Sequence, residues 1–167
     1  MPEQHPTVEI FVEIPKGSRN KYEFDHELHT MRLDRRLSSS LVYPADYGFI
    51  PNSLGEDQDP LDAMILLDEP TYPGVIVTGR PVGVFHMSDE KGPDAKIICM
   101  PEWDSIYPNI EEVSQLPASL LNEIEHFFDV YKDLEPDKHA ITNGFGNRDE
   151  ALRLIDEAYA RLRNSEQ

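Results

Sequence analysis

Three aspartates within six residues form the densest group of potential metal ligands, Asp57, Asp59 and Asp62 in the order Asp-Gln-Asp-Pro-Leu-Asp. Carboxylates this close repel one another, so the segment is costly unless cations fill it. Hard divalent ions, Mg²⁺ or Mn²⁺ rather than zinc, fit best because the segment contains no His or Cys. An Asx-rich turn that leads into a strand is the alternative. An EF-hand loop is disfavoured, because the apolar run 63–67 follows where a helix would be needed.

A second acidic pair, Asp89 and Asp94, brackets a predicted hairpin tip. Side chains alternate along a strand, so Asp94, Lys96 and Ile98 share one face, and a carboxylate and an ammonium project into the same space. Two interpretations stay open. The pair is a surface ion pair, worth at most about 1 kcal/mol, or it is a metal ligand beside a cation that binds phosphate.

Other charged or phenolic side chains lie on otherwise apolar segments. Charged residues on predicted strands would meet if those strands adjoin, although each taken singly is more often surface than site. The Tyr-rich segment 43–49 is either a packed turn or the source of a phenol that donates to an anion. Lys132 follows Tyr131 at a helix end, where a cation is expected in any case. The strand positions are Glu13, Lys21, Glu23 and Arg35.

Composition argues against several classes of function. Thirty-two acidic against fifteen basic residues give a net charge of −17, which opposes binding to nucleic acid or to an anionic membrane. The single cysteine, Cys99, can form no intrachain disulfide, and its apolar neighbours indicate a core residue. The sequence has no glycine-rich phosphate loop, no Gly-x-Ser-x-Gly motif and no metal-ligand spacing among its six histidines. Without a signal peptide or a long apolar run, we expect a cytoplasmic protein.

Hydrophobic periodicity predicts strands over the first hundred residues and helices over the last fifty. A hairpin is expected between the strands 21–25 and 31–37. Apolar residues at three- and four-residue spacing predict one helix between Ser114 and Tyr131. A last helix begins at Asn147, which forms a capping-box pattern with Glu150, and its tail from residue 164 is expected to fray. The predicted strands cover 7–14, 21–25, 31–37, 63–67, 75–78, 81–87 and 95–100.

The order of these elements predicts the class of fold. There is no βαβ alternation, so a closed or strongly curved antiparallel sheet flanked by helices is the economical architecture. The length fits one domain over residues 1–167. The polar connection 133–146 has no assigned conformation.

Taken together, these segments resemble the bacterial soluble inorganic pyrophosphatases of family I. The agreement runs from Val8 to Glu135 and includes nine landmarks in the same order, which makes it highly specific. The landmarks are Val12-Glu13-Ile14-Pro15, Lys21-Tyr22-Glu23, Leu33-Asp34-Arg35, Tyr43-Pro44-Ala45-Asp46-Tyr47-Gly48, residues 57–62, Arg80-Pro81-Val82-Gly83, Asp89-Glu90, Asp94-Ala95-Lys96 and residues 126–135.

The resemblance implies an α+β fold, a five-stranded OB-like closed β-barrel with flanking α-helices, assembled as a homohexamer. It implies an inorganic diphosphatase that hydrolyses pyrophosphate to two phosphates by a metal-activated water, without a covalent intermediate. The expected cofactor is Mg²⁺, with Mn²⁺ or another hard divalent ion as a substitute. The expected substrate is the magnesium complex of pyrophosphate, with no nucleic acid or membrane partner.

The resemblance also assigns roles to the residues of the site. It implies Asp57, Asp62, Asp89 and Asp94 as metal ligands, with Glu13 near a further metal. It implies Lys21, Arg35, Tyr47, Lys96, Tyr131 and Lys132 around the two phosphates. Asp59 matches the base that activates water, and Asp94 is the alternative base.

Two departures from the family pattern concern the site and its surroundings. Gln58 stands where the family usually has Gly, which makes the backbone of the acidic loop less permissive. Residues 137–142 lack the aromatic and basic pattern that often follows Lys-Asp-Leu-Glu. Neither departure touches an implied metal ligand.

Electrostatics predicts that the metals are needed for substrate binding. The expected site has a charge of −3, and two Mg²⁺ ions would change that charge to about +1. The count sets seven carboxylates against four cations: Glu13, Glu23, Asp57, Asp59, Asp62, Asp89 and Asp94 against Lys21, Arg35, Lys96 and Lys132. Two other functions stay open: a nucleotide phosphohydrolase, and an OB-type or cation-binding module without turnover. The absence of a basic stripe opposes an oligonucleotide-binding module.

Overall fold

The computed structural model describes residues 5–103 and 105–167, which form a mixed α+β fold of nine strands, two α-helices and one short 3₁₀ helix. The strands are β1 (Val8–Ile14), β2 (Asn20–Asp25), β3 (Thr30–Arg36), β4 (Asp46–Phe49), β5 (Asp62–Ile65), β6 (Ile76–Asp89), β7 (Gly92–Pro93), β8 (Lys96–Pro101) and β9 (Ala140–Gly146). The 3₁₀ helix spans Val113–Gln115, and the α-helices are α1 (Ala118–Val130) and α2 (Arg148–Ser165).

Five strands pair in a ring. β1 pairs with β4 and with β6, β4 pairs with β5, β5 pairs with β8, and β8 pairs with β6. The pair β5–β8 is parallel and the other four are antiparallel. The expectation of an antiparallel sheet is therefore wrong at one place. An odd number of strands cannot alternate in direction all the way around a ring, so at least one neighbouring pair must be parallel.

The predicted strands 75–78 and 81–87 are one continuous strand, β6. Pro81 has no N–H to donate, and the register with β8 shifts between Pro81 and Gly83. Strand β6 also changes partner there. Val77 pairs with β1, whereas Phe85 pairs with β9. The proline therefore marks a bulge inside one strand rather than a break between two.

The predicted strands 7–14, 63–67 and 95–100 are confirmed as β1, β5 and β8, and β2 and β3 form the expected hairpin as a separate two-stranded sheet. The structure adds to or differs from the sequence expectations at three places. Segment 43–49 is not a turn throughout, because β4 pairs on both sides within it. The connection 133–146 contains β9, so strands are not confined to the first hundred residues. Helix α2 continues to Ser165 rather than fraying from residue 164.

Both faces of β5 and β8 are buried, because two apolar clusters lie on opposite sides of these strands. Ile98 packs in a cluster with Phe127 and Phe128 of α1. Cys99, its neighbour in sequence, packs with Ile155 of α2 in the second cluster, as a core residue as expected. Alternating side chains of one strand thus face different helices.

Helix α2 begins where the sequence predicts. The Asn147 side chain accepts a hydrogen bond from the Glu150 N–H at 2.9 Å, which satisfies one donor of the first turn. Helix α1 buries Ile124, Phe127 and Phe128, as its periodicity predicts. None of the helices in the described residues is long and apolar enough to span a membrane.

Gly48 is required by the close approach of β4 to β1. It pairs with Val12, and a Cβ atom there would overlap the Phe11 carbonyl oxygen. The obstacle is backbone, which cannot rotate away as a side chain can.

We predict that Gly48→Ala lowers the free energy of unfolding by about 3 kcal/mol, because β1 and β4 must separate to accept the methyl group. Urea unfolding followed by circular dichroism measures this. Gly17→Ala is the matched control, since Gly17 has φ +85° but open space around it, and the left-handed conformation alone costs about 1 kcal/mol. Equal losses in the two variants would contradict the steric explanation.

Candidate active site

An open cavity of about 290 Å³ is lined by most of the predicted site residues. It collects side chains from six separate parts of the chain: the β2–β3 hairpin, the segment at β4, the acidic loop 57–62 before β5, the segment 89–96 between β6 and β8, the end of α1 and the connection before β9. Eleven of the twelve predicted site residues line this cavity: Lys21, Arg35, Tyr47, Asp57, Asp59, Asp62, Asp89, Asp94, Lys96, Tyr131 and Lys132.

The twelfth residue, Glu13, lines an adjoining cavity of about 300 Å³. Lys21, Tyr47, Asp59 and Asp62 line both cavities, so the two are neighbours with a common wall. The predicted residues are thus brought together in one region.

Lys96 is the centre of the main cavity. Its Nζ lies 2.9 Å from Asp62 Oδ2 and 2.8 Å from Asp94 Oδ2, and the residue is only 1% exposed. The parallel pairing of β5 and β8 places Lys96 directly beside Asp62. Burial alone would lower the pKa of Lys96, but the two carboxylates outweigh that effect and raise it. The ammonium therefore stays charged.

The predicted site residues include two phenols, the partly buried Tyr47 and the buried Tyr131. Tyr47 donates its hydroxyl proton to Asp62 Oδ2 at 2.7 Å. Burial, reinforced by the charges of Asp62 and Asp94, raises the pKa of Tyr47 well above its ordinary value. Burial also raises the pKa of Tyr131, against the opposing charges of Lys96 and Lys132. Both phenols consequently keep their protons at neutral pH and can donate to an anion.

Several carboxylates of the site resist ionisation. Burial raises the pKa of Asp57, and the nearby charges of Asp94 and Asp59 raise it further. Burial likewise raises the pKa of Asp94, with Asp62 adding to the effect and Lys96 opposing it. Glu13 Oε2 accepts the Phe24 N–H at 2.9 Å, yet burial raises the pKa of Glu13 to about 7.

Asp89 differs from the other carboxylates. The Lys132 Nζ lies 3.4 Å from Asp89 Oδ2 and 3.8 Å from Glu90 Oε1. Partial burial acts to raise the pKa of Asp89, but the Lys91 N–H and the Lys132 charge together lower it. Asp89 is therefore ionised more readily than Asp57 or Asp94.

This donor set fits hard divalent cations, because several carboxylate oxygens lie around one cavity and repel one another without a cation. Among the described residues, no three His, Cys, Asp or Glu side chains already converge as metal ligands. Lys96 lies between Asp62 and Asp94 and holds one oxygen of each. A divalent cation would therefore share these two carboxylates with the ammonium.

The acidic loop folds back on itself. The Gly55 N–H donates to the Asp59 carbonyl at 2.6 Å, and the Asp59 N–H donates to Asp57 Oδ1 at 3.1 Å. Gln58 at the turn has φ +71°, in the left-handed region that glycine adopts without steric penalty. The sequence departure at Gln58 thus falls where a side chain strains the backbone.

Sequence reasoning missed some residues of the cavity wall, among them Lys91, Lys138 and Phe128. Phe128 lies below Lys96, with the Nζ 5.5 Å from the ring centroid. A surface lysine carries no periodic signal, and a core aromatic residue looks the same in sequence whether or not a site adjoins it.

Comparison with known proteins agrees with this arrangement. The chain is 51% identical over 154 residues to an inorganic pyrophosphatase of Leifsonia xyli, covering 92% of this chain and 94% of the relative. It is 50% identical over 152 residues to one of Methanosarcina acetivorans, covering 91% and 90%. The crystal structure of inorganic pyrophosphatase from Thermus thermophilus superposes with a TM-score of 0.92 at 41% identity, covering 98% of this chain and 95% of that chain.

A family described as inorganic pyrophosphatase matches residues 10–163. That span includes both cavities and all twelve predicted site residues. This chain therefore belongs to the inorganic pyrophosphatase family.

Proposed function

We propose that this protein hydrolyses inorganic pyrophosphate to two phosphates with a metal-activated water and no covalent intermediate. The observation that carries the proposal is the buried Lys96 ammonium, held by Asp62 and Asp94 in a cavity that contains further carboxylates and cations. The proposed metal ligands and the proposed phosphate donors thus line one cavity. The names of the similar proteins support the same activity.

In this proposal Asp57, Asp62, Asp89 and Asp94 hold Mg²⁺, or Mn²⁺ in its place, and Glu13 faces a further ion. When bound, the ions would activate a water and neutralise charge on the substrate. Support comes from the raised pKa of Asp57, Asp94 and Glu13, since a cation relieves the repulsion and desolvation that raise it.

The phosphates would be held by the charged and phenolic donors of the wall. Lys96 is buried and already fixed by two carboxylates, so it loses little conformational entropy when it binds an anion. Prearranged donors of this kind stabilise charge that develops on a leaving phosphate. The proposed set is Lys21, Arg35, Tyr47, Lys96, Tyr131 and Lys132.

Asp59 is the better of the two proposed bases. Asp94 Oδ2 already accepts a hydrogen bond from Lys96 Nζ at 2.8 Å, so the ammonium occupies the position where a water would have to bind this oxygen. Asp59 is exposed, lines both cavities and forms no ion pair within the described residues. A base must reach the water that it activates, and Asp59 is placed to do so from the loop.

The wider assignments follow from the family. We propose that the ring of five strands is an OB-like closed barrel, that residues 1–167 form one domain, and that the protein acts as a homohexamer in the cytoplasm. The superposition on the Thermus thermophilus structure, with a TM-score of 0.92 over 98% of this chain, supports the barrel and the single domain.

We predict that hydrolysis of pyrophosphate stops in excess EDTA and returns with Mg²⁺, because the carboxylates otherwise repel the substrate. A colorimetric phosphate assay measures both steps. Offering ATP beside pyrophosphate tests the nucleotide phosphohydrolase, and ATP as the better substrate would favour it. Full turnover in EDTA would contradict the metal-dependent mechanism, and no phosphate release with Mg²⁺ would favour a non-catalytic module.

Asp59→Asn is expected to lower kcat by about 10²-fold or more, since a general base contributes on the order of 10²–10⁴-fold. Isothermal titration calorimetry should show Mg²⁺ binding largely retained. Asp68→Asn, on a surface loop outside both cavities, is the control and should keep normal turnover. Near-normal activity of Asp59→Asn at neutral pH would identify Asp94 or another group as the base.

The raised pKa of Glu13 makes the metal-free protein sensitive to pH. Its folded pKa of about 7 lies above the ordinary 4.5, so its stabilising contribution is complete below pH 4.5 and is lost as the pH rises through 7. We predict that Glu13→Gln flattens the fall in Tm between pH 5 and 8, measured by thermal unfolding in EDTA. Glu9→Gln, on the exposed face of β1, should keep the native slope. Identical slopes for all three proteins would refute this role of Glu13.

A further inference from the structure

Arg35 belongs to a part of the molecule that needs external positioning. The β2–β3 hairpin is a sheet of its own, outside the ring. Within it, Lys21 lies directly opposite Arg35, and like charges in that relation repel. Asp34 Oδ2 lies 3.5 Å from Lys21 Nζ and 3.4 Å from Arg35 Nε. One partly exposed carboxylate is thus shared by two cations.

A second carboxylate reaches Arg35 from a distant part of the chain. Glu135 Oε1 forms an ion pair with Arg35 Nη1, and the Glu135 side chain is only 11% exposed. Its other oxygen, Oε2, is buried and has no hydrogen-bond partner within the described residues. The Glu135 N–H donates to the Lys132 carbonyl at 2.9 Å. One turn after α1 therefore carries both Lys132 and the partner of Arg35.

Stability alone does not account for this ion pair. Removing two charges from water offsets most of their attraction, and the unpaired Oε2 adds a further penalty. The contact does orient the guanidinium group of Arg35. It also ties the hairpin, which lies outside the ring, to the end of α1, and so sets the distance between Arg35 and Lys132 across the cavity.

We propose that Glu135 is a positioning residue that holds Arg35 ready for a phosphate group. The proposal rests on the proposed function of the site. Arginine has many rotamers, and fixing its planar fork before the substrate arrives removes an entropic penalty from binding. Glu135 acts through Arg35 and does not itself touch the substrate.

The test separates geometry from charge. Glu135→Asp keeps the charge but withdraws the carboxylate by one methylene group, whereas Glu135→Gln keeps the length and an acceptor oxygen. For a positioning role we expect Glu135→Asp to lower kcat/KM about tenfold, chiefly through KM, since small misplacements in a site are costly. The kcat/KM of Glu135→Gln should stay within about threefold of the native value, because the amide oxygen still accepts a hydrogen bond from Arg35.

A double-mutant cycle connects the effect to Arg35. In an Arg35→Ala background, Glu135→Asp should change kcat/KM by less than about twofold, because coupled residues lose their effect once the partner is gone. Calorimetric affinity for methylenediphosphonate with Mg²⁺ should follow the same pattern, while affinity for Mg²⁺ alone stays unchanged. Glu157→Ala, which removes an ion pair with Arg153 on α2, is the matched control and should behave as the native protein.

Three results would overturn the proposal. The first is a lower kcat/KM for Glu135→Gln than for Glu135→Asp, and the second is an undiminished effect of Glu135→Asp on kcat/KM in the Arg35→Ala background. The third is a loss of affinity for Mg²⁺ alone in Glu135→Asp that matches its loss of kcat/KM. Failure of the proposed function would look different. The native protein would then release no phosphate, and analogue binding would still decide whether Glu135 and Arg35 are coupled.

Discussion

The buried ion triad of Lys96 with Asp62 and Asp94 is the interaction on which the site depends. A lysine that is 1% exposed stays charged here because two carboxylates contact it, since a buried ammonium without a carboxylate partner would be an uncompensated charge. The register of two parallel strands brings Asp62 beside Lys96. A ring of five strands must contain a parallel pair. In this protein that pair is β5–β8, the same pair that places Asp62 beside Lys96.

In the proposed mechanism, Asp62 and Asp94 both accept hydrogen bonds from donors of the site and bind a metal ion. Asp62 Oδ2 already accepts from both Lys96 and Tyr47, and Asp94 Oδ2 accepts from Lys96. A divalent cation bound by these residues would weaken their hold on the donors, which would then be available to an anion. In the proposed mechanism, metal binding and phosphate binding would thus be coupled through these shared ligands.

The groups around this centre come from a loop and a hairpin that local contacts restrain. The acidic loop is closed by its own hydrogen bonds, and Gln58 adopts a left-handed conformation within it. A non-glycine residue there is strained, which the surrounding structure must offset. The hairpin cations are restrained by Asp34 and Glu135 instead. The acidic loop and the hairpin are thus each restrained by a different set of contacts.

The sequence by itself determined the chemistry and the longer elements. Residue types identified carboxylate ligands and cationic donors, and periodicity identified β1, the hairpin and both helices, because these signals are local. Family resemblance supplied the roles. Only the tertiary structure decided that β4 and β9 are strands, that 75–78 and 81–87 are one strand, that Lys138 lines the cavity and that Glu135 contacts Arg35. Short strands and long-range contacts are set by partners far away in the chain, and no local pattern records them.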